Sequence, residues 1–439
     1  MLRKRYSSVL LLLLGAAQVS YAQGDKSKRT VIEIGSPDFR AYPVAIPSAK
    51  DLGGAAKPVE EMTEALQFDL DVSPLFRVLD PKSYLADQTK EGITAQSIKF
   101  SDWVSVGAEG LVKMTAQVSG NSLKTEYRFF DVATGKEQLK KSYEGGLDQG
   151  GRFSHKFADE IVFFLTGQRG IFNTQIAAVK KTDTGREIYA MDIDGKNRRD
   201  VTANGSINLL PAWSRNGREI VFTSYIRHNP NLYSVGAGGG GTPKLLSGER
   251  GLNTGGVMSP DGTKIALTLS RDGNPELYTY SFASRQLTRL TYHASIDTEG
   301  VYSPDGRQIY FTSDRGGGPQ IYRMSIDGGS PQRVTFNMGN YNSRARISAD
   351  GKKLALVHGG KGGFGIGLLD LSSNSFDVLS KSSLDESPSF APNGDMIIYA
   401  TMAGRGTELA AISVDGRQGP RMAMQRGEVR EPAWGPFRN

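Results

Sequence analysis

From residue 188 onward, apolar and polar positions alternate in short runs, and the runs return at a fixed interval. One run starts at Ile188, Leu232, Leu277, Ile321, Ile366 and Leu409, spaced 44, 45, 44, 45 and 43 residues apart. Each copy reads as a strand, a short turn and a second strand. A turn motif runs in register with it: Ser214-Arg215-Asn216-Gly217, Ser259-Pro260-Asp261-Gly262, Ser303-Pro304-Asp305-Gly306, Ser348-Ala349-Asp350-Gly351 and Ala391-Pro392-Asn393-Gly394, whose starts lie 45, 44, 45 and 43 residues apart. Proline presets φ in such a turn, Asp or Asn accepts local hydrogen bonds, and Gly tolerates the backbone that follows. A β-rich run comes after each turn, at 219–223, 265–269, 309–312, 354–357 and 396–400.

Four strands in a unit of this length make a propeller blade, and a lone blade exposes both its faces, so the units must stack into a ring. The strand–turn–strand run occurs six times and the turn five times. The missing inner strand is found at the C-terminus, where Pro432-Ala433-Trp434 repeats Pro211-Ala212-Trp213. The pattern predicts a six-bladed β-propeller over 170–439, in which 176–202 gives three strands of one blade and the C-terminal strand completes it. Pairing the two ends in one sheet removes a free edge.

Residues 35–169 lack the repeat and predict a small α/β domain. A helix spans 59–70, with Pro58 before it and Met62, Leu66 and Leu70 on one face. Strands are expected at 76–79 and 111–118, and a hairpin pairs 123–130 with 137–143 around Ala133-Thr134-Gly135. A second helix opens at Ser154, turns Phe157, Ile161, Phe164 and Leu165 inward, and stops at Gly167.

The first 22 residues read as a signal peptide. Arg3, Lys4 and Arg5 form its basic end, the apolar stretch 9–17 is too short to span a bilayer, and Ser20-Tyr21-Ala22 predicts cleavage between Ala22 and Gln23. No other stretch is apolar enough to span, so an exported protein without a transmembrane segment is expected, with 23–34 as a mobile N-terminal segment. The chain has no Cys, which excludes disulfides, thiolate metal sites and a Cys-anchored lipid. The formal charge is +7, but three of these charges belong to the leader, and the remainder is too weak to argue for nucleic acid.

Catalytic patterns are sparse. His155, His228, His293 and His358 are scattered, no Gly-x-Ser-x-Gly elbow occurs, and the Gly-Lys pairs continue with Glu137, Asn197 and Lys353 rather than with a phosphate-binding Ser or Thr. The run 236–241 matches a dinucleotide pattern but occupies the repeat position of Asp194-Gly195 and Asp327-Gly328, so it reads as a hairpin turn. Asp192-Ile193-Asp194-Gly195 hints at calcium, and its repeat position again reads as a turn. No metal and no cofactor are expected. The polar residues gather instead in connections on one face of the ring. Those between blades carry Asn208, Asn253, Asp297, Thr298, Glu299, Asn342, Arg344, Asp385, Glu386 and Glu428; those within blades carry Arg227, Arg271, Arg315, Lys361 and Arg405. A mixed-charge ring around a channel mouth can grip a protein or be solvated loop.

The residues that carry a family resemblance are Pro211-Ala212-Trp213-Ser214, the Ser-Pro-Asp-Gly turns, Phe311-Thr312-Ser313-Asp314, the run 328–335 and the run 384–389. Together with the order of leader, small α/β domain and six blades, they resemble the TolB family, the periplasmic propellers of the Tol–Pal system. The resemblance implies a scaffold and not an enzyme. It would link the outer-membrane lipoprotein Pal to inner-membrane TolA and support envelope integrity and outer-membrane constriction in division; relatives also serve colicin uptake. Pal would bind the propeller mouth through Thr298 and Glu299, with Asn253, Asp385 and Glu386 at comparable places; Leu252 stands where relatives can carry His. Thr30, Val31, Ile32, Glu33 and Ile34 would be the TolA-binding segment, adding a strand to a partner's sheet, with Lys26, Lys28 and Arg29 before them. Other outer-membrane or peptidoglycan-associated proteins are further partners of that class, and a monomer is expected. The competing readings are a metal-dependent propeller hydrolase or lactonase, which needs inward carboxylates, and a glycan-binding lectin, which needs repeated exposed Trp where the chain has three.

Overall fold

The computed structural model describes residues 40–86, 90–416 and 426–438. The leader, the cleavage point at Ala22 and Gln23, and the segment Thr30 to Ile34 lie outside the described residues.

The N-terminal unit is a mixed sheet covered by helices. Its strands are β1 (Tyr42–Ala45), β2 (Lys50–Asp51), β3 (Phe76–Val78), β4 (Gly110–Ser119), β5 (Ser122–Asp131) and β6 (Lys136–Gly146), in the order β3-β1-β4-β5-β6 with β2 beside β4. The helices are α1 (Ala56–Val72), α2 (Phe100–Ser105) and α3 (Gly150–Thr166). α1 buries Met62, Leu66 and Leu70 as its spacing predicts. α3 ends at Gly167, whose φ of 74° releases the chain in the left-handed region. It begins at Gly150, one turn before Ser154. Ser154 is therefore an interior residue, fully buried, whose hydroxyl donates to the Met62 carbonyl and faces the Tyr127 hydroxyl. Strand β1 was hidden in the sequence because it is four residues long and carries Pro43.

Six four-stranded antiparallel sheets follow. Blades one to five occupy 208–247, 253–289, 297–333, 341–378 and 385–427. The sixth joins the C-terminal strand Val429–Trp434 to Gln175–Lys181, Arg186–Asp192 and Arg199–Asp200. The first strand of every blade touches the first strand of the next, and Asn208–Trp213 touches Val429–Trp434, so the ring is closed. Apolar side chains from successive blades interleave to form the core between them, as where Phe222 of blade one meets Ala190 and Val179 of blade six.

The recurrent turn has a physical reason. In Ser259, Ser303 and Ser348 the hydroxyl donates to the Asp two residues on, at 2.5 Å each, and the same hydroxyl then accepts from the backbone N–H that restarts the next strand. The fourth position must be Gly because φ there is 67–83° in all five copies. The Ser259 hydroxyl and the Thr263 amide hold the Asp261 carboxyl down at about 2.

Strands alternate in direction, so the five turns and the connections between third and fourth strands lie on one face of the ring. The α/β unit covers that face. Its core continues into blades five and six through Ile176, Tyr189, Met191, Met396 and Trp434. Among the described residues two ionic contacts cross the boundary: Lys196 reaches Glu64 at 2.5 Å, and buried His155 faces Asp194 at 3.7 Å while its other ring nitrogen bonds Asp69 at 2.8 Å; within the propeller, Arg438 of the C-terminal tail holds Asp192 at 2.9 Å. The hairpin with the calcium-like sequence is thus a contact between the two units. Among the described residues no group of three His, Asp or Glu is placed to hold a metal, and no helix is long and apolar enough to cross a membrane.

Candidate functional site

The opposite face is open. Each innermost strand begins there with a buried polar residue: Asn208, Asn253, Asp297, Asn342 and Asp385, replaced by Val429 in blade six. These side chains tie down the loops that precede them. Asn253 accepts from the Ser247 hydroxyl and the Glu249 amide and donates to the Glu249 carbonyl. Asp385 accepts from the Ser382 hydroxyl at 2.6 Å. Asn253 and Asp385, expected on a contact surface, are 0% and 1% exposed; they shape the mouth from beneath.

Two residues further on, all six strands do the same thing. Leu210, Gly255, Glu299, Arg344, Ser387 and Glu431 have φ between 51° and 69°, and the pairing register slips at each of these points. A residue in the left-handed region opposite a register slip is a bulge that bends the strand and re-aims its side chain. Repeated six times, the bulges ring the channel and narrow it.

Their side chains link blade to blade. The Arg344 guanidinium donates to the Glu299 carboxylate at 2.7 Å and to the Ser387 hydroxyl at 2.5 Å, and the other Glu299 oxygen accepts from Thr312 and from the Arg344 amide. Burial works against the Arg344 cation, but Glu299, Glu431 and Glu386 outweigh it and raise its pKa. Glu431 accepts from the Leu210 amide at 2.6 Å, and burial raises its pKa. The void left among these groups, beside Arg346 and Pro432, is 40 Å³. That is room for a few waters.

Thr298 lies partly exposed at the mouth, its hydroxyl 3.3 Å from that of Thr268 in the neighbouring blade. Glu386 faces Arg430 at 3.7 Å. Thr298, Glu299 and Glu386 therefore gather around the mouth, while Glu299 is also an internal partner of Arg344.

Sequence reasoning missed the apolar part of this face. Ile207, Ile226, Tyr292, Ile296 and Phe336 are large, lie in connections on this side and are 38–74% exposed. The Arg289 guanidinium stacks over Tyr292 at 4.6 Å and that of Arg333 over Phe336 at 5.5 Å. Each stands alone among polar neighbours in sequence, so no run announced them. The bulge ring was legible in principle: five of the six bulge residues follow by two the Asn or Asp that recurs every 43–45 positions, and the sixth, Glu431, follows Val429.

Comparison with known proteins is consistent along the whole chain. Residues 30–138 match the TolB amino-terminal domain and residues 163–438 the TolB beta propeller domain. The chain is 38% identical to the Tol-Pal system protein TolB of Xanthomonas campestris pv. campestris (strain B100), over 98% of each sequence. It is 35% identical to the protein of the same name from Anaeromyxobacter sp. (strain K) over 66% of this chain, and the match spans only 65% of that relative's length. The crystal structure of TolB from Acinetobacter baumannii superposes with a TM-score of 0.78 at 32% identity, over 91% of this chain and 97% of that one.

Proposed function

This chain belongs to the TolB family, and from that premise we propose that it is a periplasmic, non-enzymatic scaffold of the Tol–Pal system. It holds the outer-membrane lipoprotein Pal at the propeller mouth and inner-membrane TolA through Thr30 to Ile34, supporting envelope integrity and constriction during division. The observation that carries this reading is the contrast in cover. The α/β unit occupies one face of the ring, and the other presents exposed Tyr292, Ile296 and Phe336 beside stacked arginines. Aromatic and Arg side chains of this kind anchor protein interfaces.

The rival reading as a metal-dependent hydrolase or lactonase needs free inward carboxylates. Here Glu299 and Glu431 are engaged by Arg344 and by the Leu210 amide.

The test is calorimetric titration of the mature protein with Pal from the same organism, wild type against Thr298→Arg. Thr298 is preferred to Glu299 because reversing the charge of Glu299 would set two cations together in the channel. Tight wild-type binding lost in the variant supports the reading; a folded wild type that ignores Pal sinks it. Removing residues 24–34 should abolish TolA binding and spare Pal, and unchanged TolA affinity would rule out that role for the segment.

A further inference from the structure

The connections at the mouth differ in build from blade to blade. In blades one to three the second and third strands are six residues each and are joined by six-residue loops. In blade four they run Lys353–Gly360 and Gly363–Asp370, and in blade five Met396–Ala403 and Gly406–Ser413. Strand pairing therefore runs two residues further in these two blades, where the others have a six-residue loop. Their tight turns carry Lys361 and Arg405.

Beside the blade-four hairpin is a cleft of 430 Å³, lined by His358, Lys361, Phe364, Lys381, Ser382 and the hairpin glycines. It is built by close backbone approach. A Cβ at Gly363 would collide with the Ser382 and Ser383 carbonyls, and one at Gly365 with the Ser380 carbonyl. Only glycine lets the loop carrying Lys381 lie against the hairpin carrying Lys361. His358 is fixed from the other side, its Nδ1 3.0 Å from the Asn342 side-chain oxygen.

The charge of the cleft is one-sided. Among the described residues no Asp or Glu lines it, and neither Lys361 nor Lys381 has a carboxylate partner. Several other cations on this face are matched: Arg271 with Glu249, Arg315 with Asp297, Lys181 with Glu428 and Arg289 with Glu276. Burial and the neighbouring Lys381 ammonium hold the His358 imidazole below its usual range.

We propose that this cleft receives acidic side chains of the protein partner that docks on the mouth. The inference rests on the reading of the mouth as a protein-binding face. Lys361 stands in the tight turn of the hairpin and Lys381 on the loop against it, both exposed on the walls of the cleft. Two ammonium groups lining one cleft with no carboxylate among its described walls favour an acidic segment, and their field favours the encounter as well as the bound state.

The experiment uses hexaglutamate as the probe, titrated at low ionic strength into the mature wild type and into the double variant Lys361→Glu/Lys381→Glu. The expected result is saturable, salt-sensitive binding by the wild type and a loss of at least tenfold in the variant, with matching far-ultraviolet spectra. Should the double variant not fold, Lys361→Gln alone, at an exposed turn, is expected to lose about threefold. Absence of wild-type binding, or equal binding by the variants, overturns the proposal. So does capture of phosphatidylglycerol vesicles in place of the peptide, which would mark a membrane contact. Titration with Pal separates the two readings. Full Pal affinity in the double variant overturns the cleft and leaves the mouth; no Pal binding by a wild type that takes hexaglutamate overturns Pal as the mouth's partner instead.

Discussion

On the face made by the Ser-Pro-Asp-Gly turns, the α/β unit packs down until apolar core and ionic contacts run from one unit to the other. On the face made by the connections between blades, large apolar side chains remain in solvent and two lysines have no carboxylate partner among the described residues. Both faces come from one repeat, whose strands simply emerge alternately on each side. The difference lies in what the connections contain. The five turns are short and close on their own backbone hydrogen bonds, which suits a permanent contact. The mouth connections vary from blade to blade in length and charge, as a surface for an exchangeable partner requires. If that is right, substitutions at the covered face should cost stability, and those at the mouth should cost binding.

The largest effect is expected at Asp69. Its carboxylate is fully buried against His155, which also faces Asp194 across the boundary. Asp69→Ala would leave the imidazolium without its hydrogen-bonded partner and should lower unfolding free energy by about 3–5 kcal/mol, read by denaturant titration. A loss below about 1 kcal/mol would mean that the covered face is held by apolar packing alone.

The same cluster gives the covered face a pH signature. Burial lowers the His155 pKa, but Asp69, Asp194 and Asp192 outweigh it and raise it to about 9. A raised imidazole contributes stability fully below its unfolded value near 6.5, and loses it as pH climbs through 9. Burial pushes Asp69 up to about 7. This is the reverse of the usual carboxylate, so its contribution is greatest below its unfolded value and is lost as pH rises through 7. The Asp69 loss is complete near pH 7, so the fall in melting temperature expected from neutral pH towards pH 9.5 belongs to His155. In His155→Gln the limb between 7 and 9.5 should flatten. An equally steep limb in that variant would place the titrating group elsewhere.

A smaller effect tests the bulge ring. Gly255 stands where the other five blades carry side chains, at φ 69°, and a Cβ added there would meet nothing within 4 Å. Gly255→Ala therefore adds only left-handed strain, about 1 kcal/mol, whereas Leu210→Gly relieves the same strain at φ 55°. Opposite signs in the two melting temperatures would establish the ring as a backbone device that the protein maintains against its local preference.

How much of this the sequence held depends on period. The blade count, the closing strand and the turn chemistry were legible because each recurs, and a repeat multiplies a weak local signal. The two helices of the α/β unit were legible from their apolar stripe, although the start of α3 was placed at Ser154 because a buried serine inside a helix looks in sequence like a cap. Asn253 and Asp385 were read as surface because they are polar; only the fold shows that their hydrogen bonds are spent inward. Glu299 was identified at the mouth, but its pairing with Arg344 joins strands 45 residues apart. The contact of His155 with Asp194 joins two units that share no pattern, and no periodicity could have announced it.

The finest discrimination between the faces comes from Tyr292. It is 74% exposed, and its ring touches the fold chiefly through the Arg289 guanidinium. Tyr292→Ala should therefore change unfolding free energy by no more than about 0.5 kcal/mol, as for other surface positions. If Pal covers this ring, the same substitution removes a large, stiff anchor already held in place by Arg289, and should weaken binding by about 30-fold, or about 2 kcal/mol. Stability kept and affinity lost would mark Tyr292 as held for a partner. Stability and affinity both kept would move the contact towards the cleft of blade four, where Lys361 and Lys381 stand.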